Sequence, residues 1–198
     1  MVTIKTGSRM LGIAESFRKG KSRKSVLAGV VMRKDLVIDG FSFSFPEVGG
    51  MDATDRVIEL YDKLNRKDIN FLCLSGCIIS WFNVIDLNKV YEQISIPLIC
   101  LTYEESEGLE KYFRDYFPSD YQRRLEVYKR NGERMRVKLK TGHSVFIRCL
   151  GVSVRDAIRI LNSFIMYGRY PEPVRVARIL AYTLSRILIF SGVSESDL

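Results

Sequence analysis

The sequence predicts a single α/β domain in which three antiparallel strands continue into parallel strands, with helices flanking the mixed sheet. The chain has 198 residues, and 46% of them are hydrophobic, which is enough for one domain with a sizeable apolar core. Residues 8–48 show the alternating and β-branched patterns of strands, whereas the residues that follow alternate helical spacing with continuous apolar runs. We therefore expect one folding unit that spans residues 1–198.

The first three strands are predicted to form an antiparallel meander. Residues 8–17 and 25–33 are apolar or β-branched, and the basic segment between them has the position of a hairpin turn. In residues 36–48, Phe41 and Phe43 alternate with glycine and serine, which is the two-residue period of a half-buried strand. Each of these strands is expected to pair with its neighbour along the chain.

The middle of the chain alternates helices with buried strands. Asp52 or Thr54 can cap a helix whose apolar residues recur at helical spacing. Residues 69–79 and 96–103 are continuous apolar runs, which are typical of strands buried on both faces. Residues 83–94, between these runs, have helical spacing.

The second half of the chain is predicted to contain four helices around a small β unit. The bounds of these elements are residues 107–116, 119–131, 134–150 (the β unit), 153–167 and 171–190. The tail, residues 194–198, is expected to fray. Three strands, helix, strand, helix, strand, helix is the element order of the ribonuclease H-like fold, and it permits right-handed crossovers between parallel strands.

Hydropathy argues against secretion and membrane insertion. The opening residues lack the apolar core of a signal peptide, and the sequence has no run of 18 uncharged apolar residues. The most apolar segment, residues 174–190, carries Arg175, Arg178 and Arg186, which favours a packed helix. We expect a cytoplasmic protein.

The cysteines predict neither a zinc site nor a disulfide. Cys73, Cys77, Cys100 and Cys149 form no Cys-x-x-Cys pair, and the single histidine, His143, is distant from most of them in the sequence. Two same-face residues of one strand, such as Cys73 and Cys77, lie roughly 13 Å apart, too far for a disulfide. Reduced thiols agree with a cytoplasmic protein.

The positive charge is concentrated in two segments. The net charge is +8, and the two segments together carry nine positive charges, so the rest of the chain is close to neutral. The second segment has strict two-residue spacing, which places its cations on one face of a strand. The basic residues of the two segments are Arg18, Lys19, Lys21, Arg23, Lys24, Arg134, Arg136, Lys138 and Lys140.

This charge distribution predicts nucleic acid as the partner. A cationic surface binds a phosphate backbone because each neutralised phosphate releases condensed counterions. For each segment alone the alternative is a solvated outer strand or turn, whose charges prevent edge-to-edge pairing of sheets. A third possibility is that the basic surface binds an acidic protein, and no membrane partner is expected.

Five short segments are the most distinctive parts of the sequence. They are residues 12–16 (Gly-Ile-Ala-Glu-Ser), 49–55 (Gly-Gly-Met-Asp-Ala-Thr-Asp), 74–76 (Leu-Ser-Gly), 81–86 (Trp-Phe-Asn-Val-Ile-Asp) and 171–177 (Pro-Glu-Pro-Val-Arg-Val-Ala). In these segments and their order the chain resembles a small, largely archaeal family that is linked to endonuclease V and called endonuclease dU. The resemblance runs from about Ser8 to the end of the last predicted helix.

The resemblance implies a ribonuclease H-like fold and a Mg²⁺- or Mn²⁺-dependent endonuclease that acts on deaminated or damaged DNA, with DNA favoured over RNA. At two positions the sequence departs from the pattern of these nucleases. The family's first strand usually reads Gly-Ile-Asp-Asp, so Ala14 stands in place of the leading aspartate, and Ser75 stands where endonuclease V carries another. The alternative is therefore a nucleic-acid-binding module of the same fold that has lost the cutting chemistry.

Four acids are the candidates for catalysis. Phosphodiester hydrolysis on this fold needs two or three carboxylates around a hard cation, and the candidates are Glu15, Asp52, Asp55 and Asp86, with Glu15 and Asp52 as candidate metal ligands. Glu15 can replace the aspartate missing at Ala14 only if the strand has ended or bulged there, because adjacent strand residues point to opposite faces. For the three aspartates, helix capping and stabilisation of the helix dipole are the alternative roles.

Trp81 is the candidate for base recognition. It follows a predicted central strand, where an indole ring can stack on a displaced base. Packing in the core is the alternative for this residue and for its neighbour Phe82.

Overall fold

The computed structural model describes residues 2–105 and 108–190. In this part of the chain the strands are β1 (Arg9–Ser16), β2 (Val26–Arg33), β3 (Ile38–Ser44), β4 (Phe71–Ser75), β5 (Ile78–Ile79), β6 (Asn83–Val84), β7 (Leu98–Thr102), β8 (Met135–Lys138) and β9 (Ser144–Leu150). The helices are α1 (Ala53–Lys63), α2 (Leu87–Ile94), α3 (Glu110–Tyr116), α4 (Tyr121–Arg130), α5 (Val154–Ser163) and α6 (Glu172–Phe190).

Seven strands form one mixed sheet in the order β3-β2-β1-β4-β7-β9-β8. The first three strands pair antiparallel, and β1, β4 and β7 run parallel to one another, connected through α1 and α2. This arrangement confirms the predicted ribonuclease H-like class, in which an antiparallel trio continues into parallel strands. The β unit predicted at residues 134–150 consists of β8 and β9, which extend the sheet beyond β7 by antiparallel pairing.

Two predicted elements have different bounds in the structure. The run predicted as one strand at residues 69–79 turns at Gly76, whose φ of 92° is accessible to glycine without a steric penalty, and resumes as β5. The helix predicted at residues 83–94 begins only at Leu87, because β6 pairs with β5. The buried Asn83 side chain holds this stretch extended by hydrogen bonds to the backbone before and at the start of α1.

Apolar side chains fill both faces of the sheet. On one face Leu11 of β1 packs in a cluster with Leu60 of α1, and on the other face the helices α5 and α6 cover the sheet. Gly12 allows α6 to lie directly on β1, since a Cβ there would be 2.5 Å from both the Pro173 carbonyl carbon and the Val174 nitrogen. The central strands are therefore buried on both faces, as their apolar runs predicted.

Helix α6 begins in the proline-flanked turn that the sequence indicated, and Arg175 is paired within it with Glu172 at 3.0 Å. Across residues 2–105 and 108–190, no helix is long and apolar enough to cross a membrane. The four cysteines, all in this part of the chain, carry free thiols. Residue 107, where a helix was predicted to begin, and the tail at residues 194–198 lie outside the described residues.

Candidate functional site

The carboxyl ends of the parallel strands β1, β4 and β7 meet at one edge of the sheet and open into a cleft. Ligand sites of open α/β sheets form at such an edge. The cleft has a volume of about 730 Å³ and takes residues from the ends of these strands, from β9 and from α6. Its polar lining includes Glu15, Ser75, Tyr103, Arg134, Arg148 and Arg178.

Glu15 brings a largely buried carboxyl group to the cleft. Its Oε1 accepts a hydrogen bond from Ser80 Oγ at 3.1 Å, and the hydroxyl groups of Ser80 and Ser25 are hydrogen-bonded in turn. Burial outweighs these bonds and raises the pKa of the Glu15 carboxyl to about 7. At neutral pH the group therefore exists in charged and neutral forms, and the neutral form can donate a hydrogen bond.

The register of β1 decides whether Glu15 can replace the aspartate missing at Ala14. Glu15 lies opposite Leu27, within a pairing to β2 that continues to the last residue of β1. Ala14 packs towards α6 in a cluster with Ala177, and the next side chain on a continuous strand points to the opposite face. The condition for replacement, a strand that has ended or bulged, is not met.

Asp52 and Asp55 lie outside the cleft lining and have other partners. Asp52 accepts hydrogen bonds from Asn83 Nδ2 at 2.7 Å and from Arg56 Nε at 3.0 Å. Although it precedes α1, its side chain makes no capping hydrogen bond to that helix. Asp55 is 65% exposed and pairs with Lys89 Nζ at 2.6 Å. Both carboxylates therefore join α1 to its surroundings.

Asp86 caps helix α2, as its alternative role predicted. Its Oδ1 accepts hydrogen bonds from the backbone N–H groups of Asn88 and Lys89 at 3.1 and 3.2 Å. The Arg130 guanidinium lies 3.3 Å from the same carboxylate. The Asp86 carboxylate therefore bonds to the start of α2 and forms an ion pair with a residue of α4.

The donor groups at the strand ends do not fit a magnesium or manganese site with converging carboxylates. Among the residues that the structure describes, the acids that line the cleft besides Glu15 are Glu104 and Glu105, which are exposed on the loop after β7. Within the two described ranges, no group of three or more His, Cys, Asp or Glu side chains is arranged to hold a metal ion. The catalytic role of the four candidate acids, and the metal role of Glu15 and Asp52, stay predictions.

Three arginines line the cleft. Arg148 of β9 is 6% exposed, and its Nε donates to the Gly132 carbonyl oxygen at 2.7 Å. Arg134 Nη1 donates to the Glu104 carbonyl oxygen at 3.0 Å. Arg178 of α6 is exposed and lies over the Tyr170 ring at 4.4 Å. Hydrogen bonds to backbone oxygens fix the guanidinium groups of Arg134 and Arg148 at the wall of the cleft.

The first basic segment lies at the same edge of the sheet as the cleft. It connects β1 to β2, so it directly follows Ser16, which lines the cleft. Lys19, Lys21 and Arg23 are exposed there, and Lys19 Nζ lies 3.6 Å from the centre of the Trp81 ring. Arg18 and Lys24 are half-buried at the two ends of the turn.

The second basic segment also extends past this edge. Met135 at the start of β8 is level with Leu101 near the end of β7, because both lie opposite Ile147 of β9. β8 runs in the direction of β7, so the exposed cations that follow project beyond the carboxyl end of β7; they are Arg136, Lys138 and Lys140. β8 is also the outermost strand of the sheet, so protection of an unpaired edge remains an alternative role for these charges.

The loop that carries Trp81 has a strained backbone. Residues 80–82 have φ values of 45°, 57° and 63°, and the left-handed region costs roughly 1–2 kcal/mol for each such residue. Arg124, which is 2% exposed, opposes this cost. Its guanidinium donates to the carbonyl oxygens of Phe82, Gly49 and Gly50 at 2.8, 2.7 and 2.9 Å. Trp81 is thereby held half-buried at the surface.

Sequence reasoning missed part of the cleft. Arg148 was predictable in part, since a lone arginine in an otherwise apolar strand requires a polar partner. Tyr103 and Tyr170, whose ring centres are 4.2 Å apart, carry no local signal because they come from distant parts of the chain. Of the two arginines in the last helix, Arg178 lines the cleft while Arg175 bonds within its own turn.

Comparison with known proteins agrees with this architecture. Residues 6–185 match the family model described as endonuclease dU. A UPF0215 protein from Pyrobaculum calidifontis is 34% identical over 172 residues, which cover 86% of this chain and 93% of that protein. A crystal structure from Archaeoglobus fulgidus DSM 4304 has a TM-score of 0.76 at 25% identity and covers 89% of this chain and 98% of that one.

A more distant structural likeness shows the fold alone. The D234N variant of Ciona intestinalis endonuclease V was crystallised with a 23mer DNA that contains an inosine followed by a ribo-adenosine. It has a TM-score of 0.60 at 13% identity and covers 91% of this chain and 86% of that one. The chain therefore has an endonuclease V-like fold.

Proposed function

Because the chain belongs to the endonuclease dU family, we propose that it binds nucleic acid along the carboxyl edge of its sheet, with phosphate groups in the cleft. We further propose that it does so without metal-dependent cutting at this site. One observation carries the proposal: both basic segments and the arginine-lined cleft lie at the same edge of the sheet. Electrostatic attraction from all three is therefore directed to one surface.

The chemistry of the cleft supports phosphate as the ligand. Guanidinium groups present paired N–H donors that match two phosphate oxygens, and Arg134, Arg148 and Arg178 all reach the cleft. Glu15 is compatible with a bound anion, since burial already raises its pKa to about 7 and a nearby phosphate favours the neutral form. DNA is the proposed polymer, supported by the endonuclease V of the same fold that was crystallised on DNA.

The arrangement of acids supports binding without cutting. Ala14 faces α6, Ser75 has no carboxylate, and the three candidate aspartates bond to the helices α1, α2 and α4. A metal that activates water and stabilises a leaving oxygen needs several oxygen ligands from the protein. In residues 2–105 and 108–190, Glu15 with two exposed glutamates on a loop does not supply that geometry.

Fluorescence anisotropy with labelled DNA tests the binding. We expect affinity to fall about 150-fold between roughly 50 and 200 mM salt, which corresponds to about four neutralised phosphates. Arg178→Gln, which removes an exposed charge of the cleft, should weaken binding and reduce the salt slope by about 1. Arg155→Gln is the matched control, because this exposed arginine lies in the first turn of α5 at the opposite edge of the sheet, and it should leave binding unchanged.

A nicking assay tests the absence of cutting. Duplexes that carry uracil or hypoxanthine would be incubated with the natural chain and Mg²⁺ or Mn²⁺, and we expect them to stay intact while they are bound. Nicking by the natural chain that disappears in Glu15→Gln would overturn the second part of the proposal and establish a nuclease. Absence of binding to DNA and to RNA of the same sequence at low salt would instead favour an acidic protein as the partner of the basic surface.

A further inference from the structure

An aromatic surface begins directly after Ser80, which bonds to Glu15 of the cleft, and it is not explained by phosphate binding. It consists of Trp81, Phe82, Tyr112 and Tyr116. The Phe82 ring is nearly parallel to those of Tyr112 and Tyr116, with interplanar angles of 17° and 21° and ring centres 6.0 and 5.7 Å apart. Trp81 meets Tyr116 edge-on, with their ring centres 5.2 Å apart. Four rings from a loop and from α3 are thus assembled into one array.

The four rings are only partly buried. Tyr112 and Tyr116 are 48% and 51% exposed, and Trp81 and Phe82 are half-buried. A contiguous group of partly exposed aromatic side chains is an apolar patch of the kind that marks interaction sites. The exposed tyrosines therefore leave ring surface that can contact the ring of a ligand.

The loop that carries the array is held in an unfavourable conformation. Residues 80–82 are in the left-handed region, where non-glycine residues seldom occur. The buried Arg124 guanidinium holds this loop through the Phe82 carbonyl oxygen, and it also lies 3.8 Å from the centre of the Phe117 ring. Backbone strain that the surroundings maintain is common where a side chain must be presented to a ligand.

The charge around the array indicates the kind of ligand. Lys19 of the first basic segment lies directly over Trp81, and Ser80, the residue before it, donates to Glu15 in the cleft. A ligand on the aromatic surface would therefore lie close to the Lys19 cation and, across Ser80, to Glu15 of the cleft. Flat rings joined by a phosphate backbone match this combination, whereas an acidic peptide matches only the cations.

We propose that the aromatic surface is a stacking site for the unpaired bases of single-stranded nucleic acid, whose backbone continues into the cleft. This inference rests on the proposed nucleic-acid binding and narrows it to a strand form. Base stacking on aromatic side chains is tolerant of sequence because every base has a π-face. Bases of an intact duplex are stacked on one another, so only an unpaired strand can use the site fully.

Trp81 reports on the site directly, because it is the only tryptophan of the chain. Its fluorescence would be titrated with an oligothymidylate of about 20 nucleotides and with a hairpin duplex of equal charge. We expect saturable quenching by the single strand and much weaker quenching by the duplex at the same degree of binding. Equal quenching by both at saturation would overturn the proposal.

Substitutions separate stacking from charge. Tyr112→Ala and Tyr116→Ala should each weaken binding of the single strand by about 5- to 150-fold, the range for loss of one stacked base. Tyr116→Phe should retain the affinity, because it keeps the ring. Phe41→Ala is the matched control, since this residue is 50% exposed on the edge strand β3. Circular dichroism of each variant would verify folding, and Trp81 quenching in the natural chain tests the site without any substitution.

The outcomes distinguish the two proposals. If the natural chain binds neither polymer, nucleic-acid binding fails and the stacking site fails with it. If it binds DNA but the two alanine variants bind single strands as tightly as the natural chain, the stacking site alone is overturned. Loss of affinity in Tyr116→Phe equal to that in Tyr116→Ala would also overturn stacking, and would indicate a role for the hydroxyl group.

Discussion

Replacing Glu15 by glutamine should remove a large part of the pH dependence of stability. Burial raises the pKa of this carboxyl from 4.5 to about 7 in the folded chain. The folded state therefore prefers the neutral form, and the stability that this preference contributes is complete below pH 4.5 and is lost as the pH rises through 7. The shift of this pKa corresponds to about 3 kcal/mol in the free energy of unfolding. About 2.5 kcal/mol of this amount is lost between about pH 5 and pH 8.

Urea denaturation at about pH 5 and about pH 8 measures the free energy of unfolding of the natural chain and of Glu15→Gln. Between about pH 5 and pH 8, the free energy of unfolding should fall by about 2.5 kcal/mol more for the natural chain than for the variant, because glutamine does not ionise. Other titrating groups affect both chains alike and cancel in the comparison. Glu92→Gln, the same change on the exposed face of α2, should behave as the natural chain. Parallel pH profiles for the natural chain and Glu15→Gln would refute the buried-carboxyl reasoning.

Three further substitutions test the packing around the site. Arg124→Ala removes hydrogen bonds to three carbonyl oxygens and should lower the free energy of unfolding by about 3 kcal/mol or more, measured by urea denaturation. An unchanged midpoint of urea denaturation would show that these hydrogen bonds do not stabilise the fold. Gly12→Ala should cost about 1–3 kcal/mol, because the new Cβ meets the Pro173 carbonyl carbon. Gly7→Ala is the control, because the new Cβ has open space around it. An equal loss of thermal stability in the two variants would contradict the close approach of α6 to β1. Ala14→Asp should destabilise the chain by about 2 kcal/mol or more without gain of nicking, because a carboxylate there is buried between β1 and α6; a stable, active variant would show that position 14 reaches the cleft.

The order of the main elements was predictable because each element carries its own local pattern. The apolar runs of β4 and β7 indicate strands that are buried on both faces, whatever their partners are. The alternation at Phe41 and Phe43 indicated a strand but not its buried face, since Phe41 is 50% exposed whereas Ser42 and Ser44 are buried. The bounds between residues 76 and 87 were not predictable in this way. Asn83 is held extended by the backbone of a segment 36 residues earlier, and no helical or strand period encodes such a contact.

The sequence by itself determined where the basic residues and the candidate acids occur, and that the first strand lacks a carboxylate at Ala14. Only the tertiary structure decided which of them meet. The direction of β1 and β8 brings both basic segments to one edge, whereas contacts across the fold draw Asp52 and Asp86 to Asn83 and to the start of α2. The physical reason is that a charge takes the partner nearest in space, and the partners in this cleft come from strands and helices far apart along the chain.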